Sequence, residues 1–69
     1  MEDVRKTVGR NVRRLREEVG LSQEKLALEA DLDRTYVSGV ERGVRNPTIV
    51  VVARIAKALK IEPNKLLVK

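Results

Sequence analysis

A chain of 69 residues has room for one domain, at the lower limit of what one hydrophobic core stabilises. It holds no Cys and no His, which excludes a disulfide framework and any thiolate or imidazole metal site. Fifteen Lys and Arg stand against ten Asp and Glu, a net charge of +5 that favours a polyanionic partner.

The first predicted helix runs from Val4 to Glu18, with Val8, Val12, Leu15 and Val19 at helical spacing and Gly20 placed to close it in a left-handed cap. Arg5, Lys6, Arg10, Arg13, Arg14 and Arg16 all fall in the first sixteen positions, opposed there only by Glu2 and Asp3, so the positive excess has a location. A second helix starts after Ser22, a capping residue, and gathers Leu26, Ala27 and Ala30 on one side. A third starts after another cap, Asp33, carries Tyr36, Val37 and Val40, and ends at Gly43. Only Asp31 and Leu32 lie between the second helix and the Asp33 cap. So short a connection makes the two helices cross steeply and leaves the first turn of the later one projecting toward a nucleic-acid groove. Asn46-Pro47-Thr48 then breaks the chain, and Thr48 caps a fourth helix through Ile49, Val52, Ile55, Ala56 and Leu59. Pro63 suits the first turn of a fifth, short helix with Leu66, Leu67 and Val68. With Tyr36 as the sole aromatic, the core is expected to be aliphatic.

Gly9, Arg16, Gly20-Leu21-Ser22-Gln23, Leu26-Ala27, Tyr36-Val37-Ser38, Glu41-Arg42-Gly43, Asn46-Pro47-Thr48, Ile55-Ala56 and Ala58-Leu59 stand in the order and spacing of one family. Through them the chain resembles the Xre, Cro and phage-repressor helix-turn-helix proteins over nearly its whole length. Within that family, the run from Leu32 to Arg42 and the following Arg45-Asn46 resemble the small controller proteins of restriction-modification systems. The resemblance implies an all-α fold: a compact five-helix, lambda-repressor-like DNA-binding domain over residues 1–69, with the helix-turn-helix at the second and third helices. Asp31 stands where the family commonly has a turn glycine. Asp tolerates left-handed dihedrals better than most residues, so the fold is expected to hold.

Arg34 is the first candidate for reading bases, because it follows the Asp33 cap and so lies on the exposed first turn of the third helix. A guanidinium there can bond guanine O6 and N7 together; the plain alternative is a solvated Arg balancing Asp33. Thr35 and Ser38 are further base-reading candidates, since their hydroxyls can reach a base or a phosphate and Thr35 offers a methyl to thymine; the alternative for each is plain exposed helix surface. Gly39 in mid-helix costs about 1 kcal/mol relative to Ala. Close approach to DNA would account for it as a base-reading position, and tight packing against a neighbouring helix would do so equally. Tyr36 is expected to pack while its hydroxyl meets a phosphate. Ser22 and Gln23 open the second helix, whose unpaired N–H groups suit a phosphate, and the resemblance implies a DNA contact for Gln23, which could also brace Arg34. Arg42, Arg45 and Asn46, just past the third helix, either grip the DNA backbone or are solvated. The resemblance further implies that Arg16 and Glu41 form an ion pair tying the first helix to the third.

Members of this family usually bind as twofold dimers, so a self-complementary patch is expected. Val50 and Val51 lie beside the core stripe of the fourth helix, and Leu66, Leu67 and Val68 are more apolar than a chain end requires. The alternative for the two leucines is that they only close the monomer core. The expected function is a sequence-specific transcription regulator, a homodimer on a palindromic operator in double-stranded DNA, with RNA polymerase as a further contact. No cofactor, metal or small-molecule effector is expected. No apolar run approaches the length that crosses a bilayer and no signal-peptide stretch opens the chain, so a cytoplasmic protein without a membrane partner is expected. An antitoxin-like or adaptor module built on the same fold is the alternative. An enzyme is not expected, since the carboxylates are scattered over charged helix faces.

Overall fold

Capping side chains decide where this chain starts its helices. In the computed structural model, which describes residues 3–69, Asp3, Ser22, Asp33 and Thr48 each sit in extended backbone and accept an N–H two or three residues on. They open α1 (Val4–Glu18), α2 (Gln23–Ala30), α3 (Arg34–Glu41) and α4 (Ile49–Leu59). The ends are alike too. Leu21 donates to the Arg16 carbonyl at 3.0 Å, Leu32 to Ala27 at 2.8 Å, Val44 to Gly39 at 3.0 Å and Ile61 to Ala56 at 3.0 Å. Each bond reaches back across a left-handed residue, which satisfies a carbonyl that the helix end leaves open: Gly20, Asp31, Gly43 and Lys60 respectively. Asp31, at φ 58°, therefore takes the dihedral that the two-residue turn between α2 and α3 demands.

The expected fifth helix is a correction: Pro63–Leu66 forms a single 3-10 turn, and its cap Glu62 makes no side-chain hydrogen bond. A segment so short cannot support its own α-helical nucleus and is held by what it packs on. Asn11 of α1 does part of that holding. Its buried amide nitrogen donates to the carbonyls of Leu66 at 3.0 Å and Val68 at 2.6 Å, while Arg14 donates to its oxygen at 3.3 Å.

The core is aliphatic. Val8 and Val12 of α1, Leu26, Ala27 and Ala30 of α2, Val37 and Val40 of α3, Ile55, Ala56 and Leu59 of α4, and Leu66 of the final turn bury one another. Leu15, Leu21, Leu32, Tyr36, Val51 and Val52 pack at its edge. Two of the expected stripes are shorter than their periodicity implies: Val19 is 55% exposed and Ile49 is 88% exposed. Val19 is the cap residue after α1 and Ile49 the first residue of α4, both a turn beyond the packed stretch. The backbones of α1 and α3 meet at Gly9, where a Cβ would collide with the carbonyl oxygens of Val40 and Glu41.

Candidate nucleic-acid interface

The mounting of α3 begins with Arg16. Its Nε donates to Glu41 Oε2 at 2.6 Å and its Nη2 to Oε1 at 3.1 Å, and Nη1 reaches the Leu21 carbonyl at 2.8 Å. The Glu41 side chain is 3% exposed and that of Arg16 11%, so the pair is sheltered, and the hydrogen bonds to Glu41 hold the guanidinium proton more firmly than usual. Gln23 completes the cluster, its Nε2 donating to Glu41 Oε1 at 3.0 Å. That corrects the expectation that Gln23 braces Arg34. Glu41 ends α3 and faces the start of α2 with a lone pair to fill, whereas Arg34 stands seven residues earlier, roughly 10 Å away along the helix.

At the other end of α3, the Asp33 carboxylate accepts the Thr35 N–H at 2.7 Å and also the Thr35 hydroxyl. Those bonds, the hydroxyl's first, hold the Asp33 carboxyl below its ordinary value. They also settle how Arg34 stands: Asp33 is turned to Thr35, and Arg34 is exposed with no ion pair among the described residues. Thr35 has donated its hydroxyl hydrogen, so its methyl group and oxygen lone pairs are what it presents outward. Ser38 and Tyr36 are half-buried, Tyr36 against the core.

Gly39 requires a correction. It is buried, covered by the Arg45 stem, so packing accounts for this glycine and it presents no surface to a base. Arg42, Arg45 and Asn46 are exposed after α3, and Ser22 is exposed before α2. Arg34, Arg42 and Arg45 thus stand exposed around α3, while further exposed cations, Arg54, Lys57, Lys60 and Lys65, lie on α4 and beyond it. The positive excess of the first sixteen positions is largely balanced by folding, Arg5 by Asp3 at 2.7 Å, Arg13 by Glu17 at 3.4 Å, Arg14 by Glu18 at 3.2 Å and Arg16 by Glu41.

Of the expected interface residues, Val50, Leu67 and Val68 are exposed, Val51 is half-buried against the core, and Leu66 is fully buried. Leu66 is therefore a core residue, corrected from an interface one: Asn11 turns the final segment so that this leucine points inward. Leu67 shares an apolar groove with Val4, Val8, Pro47, Ile49 and Val52, while Val68 lines a separate hollow with Leu15 and Ile61. Ile49 belongs to the exposed apolar surface and was not among the expected interface residues.

The helix-turn-helix family profile matches residues 12–66. The chain belongs to the helix-turn-helix family. This helix-turn-helix protein is 46% identical over 66 residues to control protein C.BamHI of Bacillus amyloliquefaciens, covering 94% of this chain and 82% of that one. It is 40% identical over 67 residues to control protein C.MunI of a Mycoplasma species, covering 96% and 90%. Its fold is similar to that of the restriction-modification controller protein C.AhdI from Aeromonas hydrophila, with a TM-score of 0.88 at 50% identity over 90% of this chain and 94% of that one. In this helix-turn-helix protein α2 and α3 are the motif helices, and Asp31 makes the turn between them. Among the described residues no helix is long and apolar enough to cross a membrane.

Proposed function

We propose that this protein is a sequence-specific transcription regulator of the controller type, its whole chain one DNA-binding domain acting as a homodimer on a palindromic operator. The observation that carries the reading is the first turn of α3. Arg34 is exposed there without an ion pair, on a helix that Arg16, Glu41 and Gln23 fasten to α1 and α2. A guanidinium on so firmly mounted a helix end can bond guanine O6 and N7 together, a pairing that discriminates by about 1–3 kcal/mol against a wrong base. Thr35 offers its methyl and acceptor oxygen beside it, and Ser38 lies a turn further on. Ser22, Gln23, Tyr36, Arg42, Arg45 and Asn46 contact phosphates, which sets register and affinity more than sequence. The relatives described above are controllers, which favours this reading over an adaptor that would need no exposed cations around α3.

Dimer contacts come from the exposed apolar side chains of α4 and the chain end, Ile49, Val50, Leu67 and Val68, with Val51 behind them. In the cytoplasm such a dimer fills its operator as its concentration rises, and it blocks RNA polymerase or touches it according to where the operator lies. The test is selection from random duplexes, with Arg34→Ala beside the wild type. A palindrome with half-sites about 34–36 Å apart should emerge. Arg34→Ala should lose discrimination by about tenfold or more at one base pair per half-site while keeping a similar salt dependence. If the wild type enriches no sequence, the reading is wrong.

A further inference from the structure

We infer that Gly39 is a positioning residue for Arg45: it makes the slot that seats the Arg45 stem across α3, so that the guanidinium is already ordered beside Tyr36 when DNA arrives. The inference rests on the regulator reading above and adds to it a residue that acts through another.

Two features of Gly39 converge on Arg45. The first is its carbonyl, which accepts the N–H of Val44 at 3.0 Å and that of Arg45 at 3.2 Å. Together with the left-handed Gly43, these bonds fold the chain back so that residue 45 lies alongside α3. The second is the missing side chain. A Cβ at Gly39 would stand 2.5 Å from Arg45 Cγ, against 3.6 Å from its Cβ and Cδ, so the middle of the Arg45 stem fills the space that any other residue would claim. The guanidinium carbon then lies 6.0 Å from the centre of the Tyr36 ring, within reach of a cation–π contact. Tyr36 and Gly39 are three residues apart and share a face of α3, so the side chain runs along that face toward the helix start, where Arg34 stands. A free Arg loses rotamer freedom on docking; one that is already seated loses less, and places its fork in one direction.

The test is a double-variant cycle on the enriched duplex with the wild type, Gly39→Ala, Arg45→Ala and both together. Arg45→Ala should weaken specific binding about tenfold, the loss of one charge-assisted phosphate contact. Gly39→Ala should weaken it several-fold without lowering the melting temperature, since Ala suits a helix better than Gly. The double variant should bind no more weakly than Arg45→Ala, because without the stem the nearest Arg45 atom is the Cβ at 3.6 Å, an ordinary contact. If Gly39→Ala does lower the melting temperature, its recovery in the double variant still ties the damage to the Arg45 stem, and no recovery overturns the inference. Losses that multiply in the double variant, or a Gly39→Ala protein that binds like the wild type, also overturn it and leave the regulator reading standing. A wild type that enriches no duplex overturns the regulator reading and this inference with it.

Discussion

Glu41 carries three hydrogen bonds on a carboxylate that water hardly reaches, two from Arg16 and one from Gln23. Removing Arg16 leaves that charge with one amide donor in a sheltered site. Arg16→Ala should therefore cost about 3–5 kcal/mol in urea unfolding, the penalty of an uncompensated buried charge. Arg13→Ala should cost under about 0.5 kcal/mol, since Arg13 meets Glu17 at 3.4 Å on open helix surface. Equal unfolding midpoints for the two variants would contradict the assignment. Replacing the whole pair, with Arg16→Met and Glu41→Leu together, should recover much of the loss, because no lone charge is then left inside. The pair's worth thus lies in fixing α3, the helix that Arg34 begins, against α1.

Among the elements, α1 and α3 rest on caps whose charge can be titrated away. Asp3 is held down to about 2, chiefly by the Arg5 side chain, and Asp33 is lowered chiefly by the Thr35 hydroxyl. A carboxyl lowered in the folded state contributes stability that is complete above its unfolded value of 3.8 and fades as pH falls through the folded one. Stability should therefore fall between about pH 4 and pH 2, and Asp33→Asn, an equally good cap without the charge, should show a shallower fall. Unfolding curves at pH 7, 4 and 2 measure it; an unchanged slope in Asp33→Asn would remove Asp33 from the account. These caps were also what made the elements legible. Ser22, Asp33 and Thr48 are short polar residues placed just ahead of apolar periodicity, and α2, α3 and α4 start where they stand. Local signals carried less at the ends. Asn11 acts on residues 55 and 57 positions away, and no local pattern announces that, so Leu66 reads from sequence as spare apolar surface. The exposed place of Arg34 on the first turn of α3 was readable from position, and the Arg16–Glu41 pair from resemblance. The partner of Gln23 was not, because the crossing of α2 and α3 sets it, and the covering of Gly39 by Arg45 depends on a loop that folds back.

For the whole molecule, the number of motif helices argues for two copies. Among the described residues one copy carries one helix-turn-helix, α2 and α3, and half-sites one duplex turn apart are separated by about 34–36 Å. Two recognition helices at that spacing must come from two chains, and what joins them has to be apolar surface left over after the core closes. Leu66 is on the core side of that line and Val50, at 62% exposure, is on the other. Leu66→Ala should open a cavity and lower stability by about 2–5 kcal/mol. Val50→Glu should keep the helical circular dichroism spectrum yet sediment as a monomer where the wild type is a dimer. Such a monomer retains Arg34 and every phosphate contact of one half-site, so its binding to a single half-site duplex should match the wild-type chain's, while its grip on the full palindrome collapses. Dimeric sedimentation of Val50→Glu would instead move the joint off Val50, leaving Leu67 and the groove it shares with Val4, Pro47 and Ile49 as the place to look.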